Sequence, residues 1–196
     1  MESNDHLFNQ TLNLVRHFLM KVQRNMLLYS QTRIEIKMKI IAKRFKELTL
    51  DELYAILKNR VDVFVVEQQC PYPEIDGKDK QAWHVMLMEG NEILAYLRVL
   101  EAGVSFDHVS IGRVLSVKRR SGHGRIILKE GIRIAFEVLK AQEIWIEAQT
   151  YAKDFYANEG FKQTSEKFLE DGIPHIRMVL ELPKRDEGVN HDNTYL

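Results

Sequence analysis

The stretch from residue 110 to residue 125 restricts the fold of this chain more than any other. A strand-like run over 110–117 is followed by a basic segment with two glycines over 118–124, and then by an apolar helical pattern that extends to residue 140. A turn from strand to helix aims unpaired backbone amides and the positive end of the helix dipole at one point. Because glycine lets the backbone approach a ligand closely, the stretch predicts an anion site of the kind that a pyrophosphate needs.

The charge balance of the chain makes this predicted anion site a local feature. Lysine plus arginine numbers 28, and so does aspartate plus glutamate, so no global field favours nucleic acid or an anionic membrane. Arg119, Arg120 and Arg125 supply the local positive charge. No Gly-Lys-Ser/Thr sequence ends the motif, which excludes a Walker phosphate loop, and the antiparallel pattern before it fits a Rossmann fingerprint poorly. A plain tight turn remains the alternative explanation of the two glycines.

The other elements follow from periodicity and turn signals. Thr49 and Glu52 form a capping box that starts a helix. Residues 68–80 contain prolines and a glycine at turn positions, which predict a loop and not a strand. With 196 residues and 45% hydrophobic content, the chain is long enough for one well-buried domain. Apolar runs predict strands at 39–43, 83–88, 93–100, 109–117, 144–148, 161–169 and 173–182, and helical patterns cover 125–140 and 153–158.

The two ends of the chain lie outside this domain pattern. Residues 1–37 carry apolar residues at helical spacing and predict one amphipathic helix. We expect this helix to pack on the domain or to pair with a second chain as a homodimer, and a biological start at Met38 is a further alternative. Residues 38–182 then form the domain, and residues 183–196 form a polar, frayed tail.

The cysteine content and the apolar runs bear on the cellular compartment. Cys70 is the only cysteine, which excludes an internal disulfide framework and favours a reducing environment. The apolar runs are far shorter than a bilayer span, and the first residues show no secretory pattern. We therefore expect a cytoplasmic protein with no membrane partner.

Two motifs carry a resemblance to a known superfamily. Arg119-x-x-Gly122-x-Gly124 resembles the pyrophosphate loop of GNAT acetyltransferases, and residues 152–161 resemble the second signature of that superfamily, a Phe-Tyr helix followed by Gly-Phe. The resemblance covers residues 38–182. More narrowly, the chain resembles the ElaA-like branch in five segments, which are 60–68, 70–72, 75–77, 111–114 and 170–176.

The resemblance implies a fold and a co-substrate. The fold would be α/β (α+β), with a mixed, mainly antiparallel central sheet flanked by helices and with the N-terminal helix as an addition. Acetyl-CoA would bind in a gap where the strands ending near Val117 and Ala148 splay apart, and its pantetheine arm would pair with the backbone of Leu115 and Val117. The pyrophosphate would bind at Arg119 and at the amides of the glycine loop, which belong to Arg120, Gly122, His123, Gly124 and Arg125.

The implied reaction is direct attack of a neutral amine on the acetyl thioester in a ternary complex, with a backbone amide of the splayed strand stabilising the oxyanion. Tyr156 occupies the position in which the family often places the general acid, and a packing role is its alternative. Glu67 is the candidate base, because it ends an apolar run where partial burial favours a protonated carboxyl group, or else it only fixes its loop. Asp76, His84 and His175 are lesser candidates, which we expect at the acceptor pocket.

The acceptor is expected to be a small-molecule or peptide amine. Glu67, Glu74, Asp76 and Asp79 near the predicted pocket favour a cationic acceptor. The histidines are too far apart for a metal-ligand motif, and the basic cluster lacks the interleaved aromatic residues of a single-strand nucleic-acid site, so we expect neither ligand. Two alternatives remain, a non-catalytic acyl-CoA-binding or sensing module and an assembly component built on the N-terminal helix.

Overall fold

Eight strands form one mixed sheet in the computed structural model, which describes residues 20–21 and 38–182. The strands lie in the order β1-β2-β3-β4-β5-β8-β6, and β7 pairs with β8. Only β4 and β5 run parallel to each other, and the other neighbours are antiparallel. The strands are β1 Lys39–Arg44, β2 Ala82–Glu89, β3 Glu92–Leu100, β4 Ser110–Ser116, β5 Glu143–Gln149, β6 Lys162–Gln163, β7 Phe168–Glu170 and β8 Ile173–Glu181.

Within residues 38–182, three α-helices accompany this sheet. Helix α1, Leu50–Arg60, continues through wider π-helical turns over Val61–Glu67, and α2, His123–Arg133, continues in the same way over Ile134–Val138. Helix α3 is the short segment Lys153–Ala157. Single 3₁₀ turns occupy Phe45–Glu47, Lys78–Gln81 and Thr150–Ala152.

Local sequence signals placed most of these elements correctly. The predicted capping box forms, since the amide of Glu52 donates to Thr49 Oγ1 at 3.2 Å and the amide of Thr49 donates to Glu52 Oε2 at 2.9 Å. The hairpin of β2 and β3 and the strand, loop and helix from Ser110 onward are also confirmed. The helix predicted for residues 1–37 and the tail at 183–196 lie outside the described residues, apart from the helical pair 20–21.

The single strand predicted for residues 161–169 is wrong. Two short strands, β6 and β7, replace it, and both pair with β8. The interruption has a local cause, because the side-chain oxygen of Ser165 accepts the amide of Arg177 at 2.8 Å. When a serine side-chain oxygen accepts a hydrogen bond that a backbone carbonyl accepts in a regular sheet, the backbone leaves regular strand geometry at that residue.

The sheet buries a separate apolar cluster on each face. In β2, Val85 and Leu87 belong to the cluster under α2, whereas Met86 belongs to the cluster under α1. This alternation is the period of two that a strand with both faces covered requires. Helix α2 approaches β3 closely, since a Cβ atom built on Gly131 would lie 2.9 Å from Leu97 Cδ2. A side chain at residue 131 would therefore push the helix away from the sheet.

The parallel pair β4 and β5 touches at one end and then separates. Ser110 is paired with Trp145, and the amide of Trp145 donates to Val109 O at 2.9 Å. Further along, no backbone hydrogen bond joins the two strands within the described part of the chain. Strand β4 also carries a bulge at Arg113, whose φ is 54°, and the β3–β4 register shifts there. Bulges bend a strand, and this one helps to direct β4 away from β5.

A buried ion cluster holds the loop 68–81 against α1 and the sheet. Arg60 is fully buried, and its guanidinium contacts Glu74 through Nε and Nη2 at 2.8 Å each and Asp79 through Nη1 at 2.6 Å. Arg98 of β3 contacts Asp79 at 3.0 Å, and Arg113 of β4 contacts Glu74 at 2.7 Å. The two carboxylates thus join one helix and two strands to the loop.

Replacing Arg60 with methionine should lower the free energy of unfolding by about 3–5 kcal/mol, because Glu74 and Asp79 would keep their buried charges without this partner. Denaturant unfolding followed by circular dichroism measures the change. Lys58→Met is the matched control, since Lys58 lies on the same helix in an exposed pair with Asp62, and it should leave the midpoint unchanged. A loss of stability in Arg60→Met no larger than in the control would contradict this account of the loop.

Candidate active site

A cleft of ≈ 980 Å³ opens where β4 and β5 separate. The end of α1, the loop 68–78 and β4 form one side, while β5, α3 and the β7–β8 turn form the other. The glycine loop and the start of α2 close one end. A cleft with both apolar and charged walls at a break in a sheet is a common position for a small-molecule site.

The glycine loop presents unpaired backbone amides to this cleft. The amides of Arg120, Gly122 and Gly124 donate to no backbone or side-chain acceptor in the described residues. In contrast, the amide of Arg125 donates to Gly122 O at 3.1 Å, and that of His123 lies 3.4 Å from Ser121 Oγ. Three of the five predicted amides are therefore free at the N-terminus of an 11-residue helix, which attracts anions.

Hydrogen bonds within the glycine loop fix its conformation. The hydroxyls of Ser116 and Ser121 both donate to Lys118 O, at 2.9 and 2.7 Å. Arg120 and Gly122 have φ values of 58° and 81°. Glycine adopts this left-handed region without strain, which explains the residue type at 122.

The three arginines near the loop differ in their partners. Arg119 is half exposed and bonded to Glu67 through Nε at 3.0 Å and through Nη2. Arg125 contacts Glu159 at 2.5 Å. The side chain of Arg120 has no carboxylate within 4.0 Å in the part of the chain that the structure describes. Of the three arginines, Arg120 is therefore the one whose charge has no carboxylate partner among the described residues.

The two strand residues predicted to contact a pantetheine arm differ in position. Leu115 is buried and lines the cleft. Val117 follows the end of β4, its side chain is 53% exposed, and its amide already donates to Leu94 O of β3 at 3.0 Å. The structure brings Leu115 to the cleft but turns the amide of Val117 away from it.

Tyr156 lies on α3 and faces the cleft. Its ring makes edge contacts with Phe155 and Phe161, at centroid distances of 5.0 and 5.8 Å. Burial, assisted by Tyr151, raises the pKa of the Tyr156 phenol above its usual value, so the hydroxyl stays protonated at neutral pH. Phe155, which packs against the apolar cluster under α2, also lines the cleft and lies 3.6 Å from a Cβ atom built on Gly124.

Glu67 does not have the partly buried environment expected of a base. Its side chain is 52% exposed and paired with Arg119, and Glu67 does not line the cleft. The pairing makes Glu67 a neighbour of the glycine loop. The pairing of Glu67 with Arg119 could not be predicted from local sequence patterns, because the two residues are 52 positions apart.

His84 and His175 have different environments. His84 is fully buried away from the cleft, with Nε2 2.9 Å from Asp79 O and Nδ1 2.8 Å from the Tyr96 hydroxyl. Burial lowers the pKa of His84, which keeps the ring neutral. In contrast, His175 lines the cleft, and its Nδ1 donates to Ile173 O at 2.9 Å. In the neutral ring this leaves the Nε2 lone pair of His175 available.

Asp76 lines the cleft as an ion-paired carboxylate. Burial alone would raise the pKa of Asp76, but hydrogen bonds and charge from Arg98 outweigh burial and hold that pKa well below its usual range. The pKa of Asp79 is lowered as well, because hydrogen bonds and charge from Arg60 outweigh the effect of burial. Asp76 is therefore a fixed negative charge at neutral pH and a poor proton acceptor.

Paired glutamines, not expected from the sequence, connect the two sides of the cleft. Gln68 Nε2 donates to Gln149 Oε1 at 3.2 Å, and Gln149 Nε2 donates to Gln68 Oε1 at 2.9 Å. Cys70 Sγ donates to Asp171 O at 3.4 Å in the same region. The loop after α1 thus reaches across to β5 and to the β7–β8 turn.

Comparison with known proteins gives consistent matches. The family described as Acetyltransferase (GNAT) domain matches residues 52–182. A UPF0039 protein of Schizosaccharomyces pombe is 37% identical over 149 residues, which cover 74% of this chain and 98% of that protein. Protein ElaA of Escherichia coli is 35% identical over 140 residues, covering 69% of this chain and 92% of ElaA. The crystal structure of an acyl-CoA N-acyltransferase from Pseudomonas aeruginosa aligns with a TM-score of 0.69 at 38% identity, over 74% of this chain and 99% of that one.

In residues 20–21 and 38–182, no helix has the length and apolar character needed to cross a bilayer. The same residues contain no group of three or more histidine, cysteine, aspartate or glutamate side chains placed to hold a metal ion.

The free energy of unfolding should decrease as the pH falls below about 4, the ordinary pKa of an aspartate in an unfolded chain. Asp76 and Asp79 have lowered pKa values in the folded protein, so the unfolded chain binds protons first and acid favours unfolding. Denaturant unfolding between pH 7 and pH 3 measures this decrease. Arg98→Leu should weaken the dependence on pH, and an equally steep decrease in that variant would contradict the assignment.

Proposed function

This chain belongs to the GNAT acetyltransferase family, and from that membership we propose that it transfers an acetyl group from acetyl-CoA to an amine. Family membership supports acyl-CoA-dependent acyl transfer, and acetyl as the acyl group is our proposal. One observation carries the proposal for this chain. The free amides of Arg120, Gly122 and Gly124 meet the cleft where the sheet opens, so one continuous surface would serve both a pyrophosphate and a thioester.

The cofactor site follows from the free donors. The amides of Arg120, Gly122 and Gly124 would bind the pyrophosphate with the help of the Arg120 side chain, and Arg119 would join them by exchanging Glu67 for phosphate oxygens. The amides of His123 and Arg125 already have acceptors within the loop, so these two residues would help to position the loop and would not bind the pyrophosphate through their amides. From Leu115 onward, the space between β4 and β5 is the natural path of a pantetheine arm.

The chemical step needs an acid at the leaving sulfur. In our proposal a neutral amine attacks the thioester carbonyl, the C–S bond breaks, and the Tyr156 hydroxyl gives its proton to the departing thiolate. A backbone amide in the gap stabilises the oxyanion, and no covalent intermediate on the protein is required. Tyr156 suits this function because its phenol is protonated and faces the cleft.

The proton that leaves the attacking amine needs an acceptor in the cleft. His175 offers an Nε2 lone pair there, with Glu170 Oε2 at 3.9 Å. Glu67 is a second candidate, but it would first have to leave Arg119. We therefore place His175 before Glu67 as the proton acceptor and regard Asp76 as a pocket charge. Cys70, which is buried and reduced, fits the cytoplasm as the working compartment.

Isothermal titration with acetyl-CoA tests the cofactor site. The wild-type protein should bind acetyl-CoA and CoA but not inorganic phosphate alone, and Gly122→Leu should weaken binding at least about tenfold by filling the space over the loop. Gly103→Leu is the matched control, because Gly103 also has a positive φ and open surroundings but lies outside the cleft. Unchanged binding in Gly122→Leu would reject the glycine loop as the cofactor site.

Replacing Tyr156 with phenylalanine tests the acid. With the first amine found to react, Tyr156→Phe should lower kcat by about 10²–10⁴-fold while the affinity for acetyl-CoA stays the same. Tyr54→Phe, at an exposed tyrosine, should leave both quantities unchanged. A protein that binds acetyl-CoA tightly but acetylates no amine in a broad panel would instead be an acyl-CoA sensor.

A further inference from the structure

Two buried polar atoms on the wall of the cleft have no hydrogen-bond partner among the described residues. They are Nε of Arg98, a residue that is 3% exposed, and Oγ of Ser110, a residue that is 2% exposed. Both residues line the cleft. An unsatisfied buried donor destabilises the folded protein, so these two atoms are where a bound ligand would gain most from a hydrogen bond.

The two atoms belong to the same face of the sheet. Arg98 pairs with Gly112 and Leu100 pairs with Ser110 across β3 and β4, so all four residues lie on one side of adjacent strands. A Cβ atom built on Gly112 would meet nothing within 4 Å. The missing side chain at residue 112 leaves open space between the two unsatisfied donors.

Lys78 adds a positive charge to the same wall of the cleft. The three arginines and three carboxylates of the ion cluster balance one another, whereas the Lys78 ammonium donates to Ser105 Oγ at 2.7 Å. Within the described ranges, no carboxylate lies within 4.0 Å of the Lys78 ammonium. Lys78 is also joined to the cluster, because its amide donates to Asp76 Oδ1, which accepts from Arg98 as well.

We propose that Arg98 Nε, Ser110 Oγ and Lys78 Nζ form a carboxylate subsite, and hence that the acceptor is an amine that also carries a carboxylate, as amino acids and peptides do. The inference rests on the proposed acetyl transfer and specifies its substrate class. A carboxylate accepts hydrogen bonds only, and here it would meet two unsatisfied donors and one unneutralised cation.

The position of the subsite agrees with an acceptor function. Ser110 and Gly112 precede the bulge at Arg113, whereas Leu115 and the glycine loop follow it. Ser110 and Leu115 pair with Leu100 and Tyr96, which are four residues apart on β3. At about 3.3 Å per residue the two β4 residues lie roughly 13 Å apart along the sheet, so the subsite is at the opposite end of the cleft from the proposed phosphate site. An acceptor anchored there can direct its amine toward the thioester without competing for the phosphate site.

Amino acids and their carboxamides provide the direct test, because the pair keeps the amine and the shape but removes the negative charge. Lysine, glutamate and phenylalanine, each against its α-carboxamide, are titrated into the full chain with and without saturating CoA. We expect at least one amino acid to bind about tenfold or more tightly than its carboxamide. That preference should disappear in Ser110→Ala and in Lys78→Met, and it should persist in Lys80→Met, a neighbouring exposed lysine outside the cleft.

Two results would overturn the subsite. The first is that no amino acid binds more tightly than its carboxamide, including the case in which neither binds. The second is that the preference survives in both Ser110→Ala and Lys78→Met. The CoA titration of the same samples separates the two proposals, since CoA binding without a carboxylate preference rejects the subsite alone, and a folded protein that fails to bind CoA contradicts the proposed acetyl transfer.

Discussion

The cluster of Arg60, Arg98 and Arg113 with Glu74, Asp76 and Asp79 is the interaction on which the site depends. Buried ions gain little net stability, because desolvation offsets their attraction, but removing one partner is costly. The loop 68–81 is therefore held in one position by ion pairs in which the loss of any one partner destabilises the domain. That loop is a wall of the cleft, so the cluster fixes the shape of the proposed acceptor end as well as the stability of the domain.

The proposed cofactor end of the cleft depends on a different constraint, which is the separation of β4 and β5. Parallel strands in a sheet normally continue their ladder, and here the ladder stops after Ser110 and Trp145. The bulge at Arg113 redirects β4, and Arg113 contacts Glu74 at 2.7 Å. The residue that opens the sheet is thus also a member of the ion cluster, which connects the two ends of the cleft through one side chain.

Local signals made part of this structure predictable from the sequence. The capping box at Thr49 and the loop from residue 118 to 124 depend only on residues that are close in sequence, and both formed as predicted. The environments of Glu67 and His84 depend on partners far along the chain or on burial by the fold, which periodicity does not reveal. Ser165 divided a predicted strand through one side-chain hydrogen bond, which composition did not indicate.

The proposed cofactor site requires that the free amides at the start of α2 bind a pyrophosphate in line with the gap between β4 and β5. A crystal structure of the protein grown with CoA would show whether this contact forms. We predict phosphate oxygens about 2.7–3.2 Å from the amide nitrogens of Gly122 and Gly124, with the pantetheine arm between the two strands. CoA bound elsewhere on the protein, with these amides facing only solvent, would contradict the account.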